Sequence, residues 1–92
     1  MIISFRQKEL ADFYAGKPVK RFATIRTALT KRLLDLDAAI VLADLRVPPG
    51  NRLEALKGDR RGQHSIRVND QWRLCFQWTT KGSENVEIVD YH

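Results

Sequence analysis

A chain of 92 residues with 43% apolar and 29% charged side chains has room for one domain, expected to span residues 1–92, and enough apolar material for a core, which excludes a disordered or fibrous protein. Its longest apolar run, Ala38 to Ala43, is about a third of a membrane-spanning helix, and Met1 to Arg6 lack a signal-peptide layout, so a soluble cytoplasmic protein with no membrane partner is expected. The net charge of +5 favours an anionic partner, and a single cysteine, Cys75, excludes an internal disulfide and a cysteine-built zinc site.

Ile2, Ile3 and Phe5 predict a short opening strand. Leu10, Phe13 and Tyr14 recur at helical spacing, and Gly16-Lys17-Pro18 stops that helix and lets another begin. The residues Phe22, Ile25, Leu29, Leu33 and Leu36 then step by 3, 4, 4 and 3, which places them on one face of a helix of about five turns. Lys20, Thr24, Thr27 and Lys31 fall on the opposite face, and Arg21, Arg26 and Arg32 flank the stripe. Asp37 is expected to cap a further short helix ending near Leu45, before Pro48-Pro49-Gly50-Asn51 forces a loop.

Beyond the loop the period changes to 2. Ile66 and Val68 alternate with Arg67, and Trp72, Leu74, Phe76 and Trp78 alternate with Arg73, Cys75 and Gln77, which predicts two antiparallel strands. A two-residue turn at Asn69-Asp70 would set Arg73 opposite Ile66, whereas a three-residue loop Asn69-Asp70-Gln71 pairs Arg67 with Arg73 and keeps each face uniform. Lys81-Gly82-Ser83 reads as the next turn and Val86 to Tyr91 as the last strand. The predicted fold is α+β, with an N-terminal strand and helices packed on one face of a small, mainly antiparallel sheet. Arg67 and Arg73 are expected to project from a second, open face.

Cationic charge is concentrated early, with eight Lys/Arg against two acids in residues 1–32, whereas residues 51–92 carry seven against six. A nucleic-acid-coating protein would gather cations without acids; this mixture, closed by Asp90-Tyr91-His92, is closer to what acid–base chemistry on a phosphate requires. Cleaving RNA without a metal needs a base for the 2′-hydroxyl proton, an acid for the leaving 5′-oxygen, and cations around the non-bridging oxygens. Glu54 and Lys57, three apart, precede the hairpin, and His92 follows a predicted strand with a side chain whose ordinary pKa, about 6.5, lies nearest neutrality. His64 reads as a strand-start residue and the Trp72 and Trp78 stripe as core. No nucleotide loop, metal-ligand spacing or nucleophile elbow is present, so neither cofactor nor metal is expected.

Leu56-Lys57-Gly58-Asp59-Arg60, then Ser65-Ile66-Arg67-Val68-Asn69-Asp70-Gln71-Trp72-Arg73, then Asp90-Tyr91-His92, closely resemble the HigB group of the RelE toxin superfamily across the whole chain. The resemblance implies the toxin of a type II toxin-antitoxin pair, a ribosome-dependent endoribonuclease that cuts mRNA in the decoding site. A HigA-like antitoxin would silence it, and DNA would be met only through that antitoxin. Carried over by position, Lys57, Arg73, Asp90, Tyr91 and His92 match functional residues of the group.

Some HigB members have a histidine where this chain has Glu54, while the related YoeB has Glu-x-x-Lys there with the glutamate as base. The preferred assignment is therefore Glu54 as base and His92 as acid. Lys57 and Arg73 would stabilise charge on the phosphoryl group, Tyr91 would orient it or stack on a base, and Asp90 would position His92. Lys20, Arg21, Arg26, Lys31, Arg60, Arg61 and Arg67 are the candidates for holding RNA or the ribosome. Two other readings remain at this point: a non-catalytic module that blocks translation by occupying the ribosome, and an antitoxin-binding partner without nuclease activity.

Overall fold

The computed structural model of the chain describes residues 1–90. Helices α1 (Lys8–Tyr14) and α2 (Arg26–Ala38) precede a sheet of β1 (Glu54–Ala55), β2 (His64–Arg67), β3 (Trp72–Thr79) and β4 (Gly82–Asp90). The strands lie in chain order with every neighbouring pair antiparallel, as the α+β expectation requires. Tight 3-10 turns fill the connections: Lys20–Ile25 runs into α2, Leu42–Arg46 and Pro49–Asn51 approach β1, and Gly58–Arg60 lies between β1 and β2.

The five-residue stripe is buried throughout, from Phe22 to Leu36, against Ile66, Leu74, Phe76, Val86 and Ile88 of the sheet. Its first third is wound as 3-10 rather than α helix, where β-branched Thr24 and Ile25 weaken α-helical winding. Arg32, expected beside the stripe, is buried, with its guanidinium donating to the Asn51 side chain and Nε lying 3.3 Å from Asp35. The Asn51 amide in turn donates to the carbonyls of Leu45 and Val47 at 3.4 Å. This network ties α2 to the loop before β1 and so fixes where Glu54 enters the sheet.

Asp37 does not cap a further helix. It lies in the last turn of α2, where its carboxylate accepts from the Ile2 N–H at 2.8 Å and the Tyr14 hydroxyl at 2.6 Å. Asp44 takes the capping role instead, accepting from the N–H groups of Ile40 and Val41 at 2.9 and 3.1 Å. The Tyr14 bond holds Asp37 below the usual carboxylate range, aided by the Ile2 N–H, while burial and then the bond to Asp37 push the Tyr14 hydroxyl up to about 12. A carboxylate with a depressed folded pKa stabilises the fold above its unfolded value near 4, and that contribution is lost as pH falls through the folded one. Tyr14→Phe is therefore expected to cost about 1–2 kcal/mol at neutral pH and progressively less as the pH falls through the lowered folded pKa of Asp37. Urea unfolding of both proteins across a pH series from neutral downward checks this.

The β2–β3 hairpin has the predicted register, Arg67 opposite Arg73 and Ile66 opposite Leu74. Asn69 fixes its loop: the Asn69 Oδ1 accepts from the N–H groups of Gln71 and Trp72 at 2.9 and 2.8 Å. In the β3–β4 pair the register slips between Cys75 and Gln77, so β4 carries one extra residue, with Asn85 at φ +54°. The bulge allows Ser83, Val86 and Ile88 all to be buried.

The opening segment is less than the full strand expected. It meets β4 at two isolated parallel bridges, Ile2 with Ser83 and Phe5 with Val86, and the bulge falls between them and breaks the ladder. Gln7 secures the far end of β4: its Oε1 accepts from the Ile88 N–H at 2.8 Å and its Nε2 donates to the Ile88 carbonyl at 3.1 Å.

Candidate active site

Glu54 and Ser65 are register partners on β1 and β2, Ser65 faces Cys75 on β3, and Cys75 faces Glu87 on β4. These four therefore form one row across the sheet face turned away from the helices. Arg73 belongs to the next row, opposite Arg67 on one side and Val89 on the other. Strand alternation puts its side chain on the same face as the first row.

That face is not open at its centre, contrary to the sequence-based expectation. Arg73 is only 7% exposed, Glu87 8% and Cys75 not at all. A cation placed there needs acceptors, and Arg73 has them: Nε donates to the Ser65 hydroxyl at 2.9 Å, and Nη2 donates to the Arg52 carbonyl at 2.6 Å. The residue supplying that carbonyl, Arg52, sits in the left-handed region at φ +45°. Nη2 also lies 3.8 Å from Glu54 Oε1. Two of the candidate residues are thus brought together, a carboxylate on the edge strand and a guanidinium anchored beneath it.

Glu54 is more than half exposed, and Lys57, two residues past β1, is exposed. Arg60 reaches across to β4, where Nη2 meets Glu87 Oε1 at 2.6 Å, while Arg6 Nε approaches the other oxygen of that carboxylate at 3.4 Å. Burial pushes the Cys75 thiol up, against the attraction of Arg60. Arg67 is paired with Asp70 in the hairpin loop. Asp90 stands opposite Trp72, on the helix-bearing face, and its Oδ2 accepts from Gln71 Nε2 at 3.0 Å. Tyr91 and His92 lie outside the described residues.

The remaining cationic candidates are not gathered at this site. Lys20, Arg26 and Lys31 are exposed on the helical layer, on the other side of the sheet from Arg73. Arg21 is paired with Glu9 at 3.1 Å, and its guanidinium lies 5.3 Å from the Trp72 ring centre. Trp72 is only partly buried, so it forms the rim of the core rather than its centre. His64 begins β2 as expected, its ring stacked on Phe76 at 6.3 Å. Among the described residues no three His, Cys, Asp or Glu side chains converge as a metal ion would require.

Sequence reasoning missed Ser65, the Arg52 carbonyl and Glu87. The first was within reach: the three-residue loop that pairs Arg67 with Arg73 also sets Ser65 diagonal to Arg73. The Arg52 carbonyl was not, because a left-handed non-glycine residue leaves no mark in composition.

A family model described as the RelE-like toxin HigB of type II toxin-antitoxin systems matches residues 3–92. The chain belongs to this family. Among curated proteins, this HigB-like chain is 48% identical over 80 residues to Toxin HigB-1 of Vibrio cholerae, covering 85% of the chain and 84% of the relative. It is 32% identical to the Endoribonuclease HigB of Proteus vulgaris, with both chains covered in full. Among solved structures, the YoeB-YefM complex from Staphylococcus aureus contains a chain that matches with a TM-score of 0.62 at 18% identity, covering 100% of this chain and 98% of that one. That likeness extends the family's fold to a much diverged sequence. Among the described residues no helix is long and apolar enough to cross a membrane.

Proposed function

We propose that this HigB-like toxin is a ribosome-dependent endoribonuclease that cleaves mRNA by metal-independent acid–base chemistry. It works in the cytoplasm and is held inactive by a HigA-like antitoxin. The observation that carries this reading is the pairing of Glu54 with a buried, doubly anchored Arg73. Family membership and the activity named for the Proteus vulgaris relative agree with it.

In the proposed reaction Glu54 takes the proton of the 2′-hydroxyl, and the 2′-oxygen attacks phosphorus. The bond to the 5′-oxygen breaks as His92 donates a proton to that oxygen, leaving a 2′,3′-cyclic phosphate and a free 5′-hydroxyl. Arg73 and Lys57 stabilise the charge that builds on the non-bridging oxygens, Tyr91 orients the phosphate or stacks on a base, and Asp90 positions His92. Arg60 and Arg67 lie on the same sheet face as Arg73, and they and the exposed Arg61 that follows Arg60 would meet the RNA backbone. Lys20, Arg26 and Lys31 belong to the opposite layer, so they would meet the ribosome on a separate surface.

Glu54 stands on a two-residue edge strand with its side chain 55% exposed. Such a setting does little to align a flexible RNA for in-line attack, and alignment is worth several orders of magnitude in rate. Purified toxin is therefore expected to cut message on programmed ribosomes at least about a hundredfold faster than the same RNA free in solution. Primer extension on both substrates measures the ratio. Equal rates would make the protein a free ribonuclease, and growth arrest with intact transcripts would favour a translation inhibitor without nuclease activity.

A further inference from the structure

We propose that Ser65 is a positioning residue for Arg73, setting the direction in which its guanidinium meets the scissile phosphate; this rests on the proposed role of Arg73 in charge stabilisation. An arginine side chain has enough rotatable bonds to sweep a wide arc from its backbone, and a charge delivers its full effect on a reaction only if it is already in place. Among the described residues three acceptors define the arc. The Ser65 hydroxyl holds Nε at 2.9 Å, the Arg52 carbonyl holds Nη2 at 2.6 Å, and the Ser65 carbonyl lies 3.4 Å from the same nitrogen. Ser65 is fully buried and Arg73 nearly so, so water does not substitute for a lost acceptor.

The geometry follows from the register. Ser65 sits two residues before the Arg67 that faces Arg73, and so on the same face, directly between Glu54 on β1 and Cys75 on β3. Bonding Nε to this serine draws the guanidinium diagonally across β2 toward the edge strand, and Nη2 arrives 3.8 Å from Glu54. The charge and the base are thereby held at a fixed separation. Without the hydroxyl the charge remains but its direction is no longer set. RNA attraction should survive, and the chemical step should suffer.

The test compares wild type, Ser65→Ala, Ser65→Thr and Arg73→Ala on programmed ribosomes, with a melting curve for each. Ser65→Ala should lower kcat about ten- to a hundredfold with KM within about twofold, and Ser65→Thr, which restores the hydroxyl, should recover most of the rate. A readout independent of activity is the Arg73 Nε–H resonance in 15N NMR. Its chemical shift should be kept in Ser65→Thr and displaced in Ser65→Ala. If threonine proves too large for the buried position, that resonance together with kcat of Ser65→Ala still decides.

If Ser65→Ala lowers the melting temperature but keeps kcat within about threefold of wild type while Arg73→Ala is inactive, Ser65 is structural and this inference is overturned. If Arg73→Ala itself cleaves normally, the role of Arg73 fails, and the inference built on it fails for that separate reason.

Discussion

Replacing Arg73 with alanine is expected to cut the rate of mRNA cleavage about a hundred- to a thousandfold, the usual loss when one preorganised charge-stabilising group is removed. The side chain has a second role that the expected open face did not suggest. It bonds Ser65 and Arg52 from a position only 7% exposed, and its loss strands those acceptors at about 1–3 kcal/mol. Activity must therefore be measured well below the melting temperature of the variant. Leu74→Ala gives the contrast: Leu74 is fully buried on the opposite face, so about 2–5 kcal/mol of stability goes with it. The folded fraction of that variant should cleave normally. An Arg73→Ala protein that is folded and cleaves near the wild-type rate would remove Arg73 from the mechanism.

His92 is expected to behave in the reverse manner, with a large loss of cleavage and little loss of stability. A general acid must carry a proton near neutral pH, and imidazole is the side chain suited to that. Deletion of His92, His92→Ala and a C-terminal extension that displaces the ring should each reduce cleavage by about a hundredfold or more. Each should leave the melting curve within about 1 kcal/mol of wild type, if the ring acts in the chemistry and not in the core. His92→Gln keeps a hydrogen-bonding side chain but cannot deliver a proton, so ribosome binding should persist while cleavage is lost. A deletion that leaves the rate within about threefold, less than 1 kcal/mol of barrier, would move the acid elsewhere.

Alternating and helical periods made most of the fold readable in advance. The Phe22 to Leu36 stripe, the Arg67–Arg73 register and the three-residue hairpin loop all follow from the side on which apolar groups must fall. Three features were not readable because they depend on contacts distant in sequence. Asp37 looked like a cap since it follows a helix pattern, but Tyr14 and Ile2 compete for its carboxylate. The opening strand shrank to two bridges because β4 bulges between them. Arg73 reads from the sequence as a residue of an open surface because alternation gives the side of a strand but not what folds back over it. The loop from Arg52 to Arg60 does so, bringing a carbonyl to Arg73 and a guanidinium to Glu87. At the site, residue types and spacing suggested Glu54 and Arg73, whereas their meeting required β1, a strand too short to announce itself.

The extra residue at Asn85 also sets the parity of everything after it in β4. Successive strand residues point to opposite sides, so the odd interval from Ser83 to Val86 leaves both buried only because of the bulge: deleting Asn85 would restore regular alternation with Val86 and Ile88 still inward, whereas straightening the strand without a deletion would turn them outward and exchange the sides on which Val89 and Asp90 emerge. The β3–β4 turn can lengthen or shorten freely, because it lies before this point. The interval from Val86 to Asp90 can change only by an even number of residues if the same groups are to keep the same sides. A gap of one residue at Asn85, in an alignment of any relative, therefore marks a lost bulge, and a gap of one residue between Val86 and Asp90 marks a displaced Asp90.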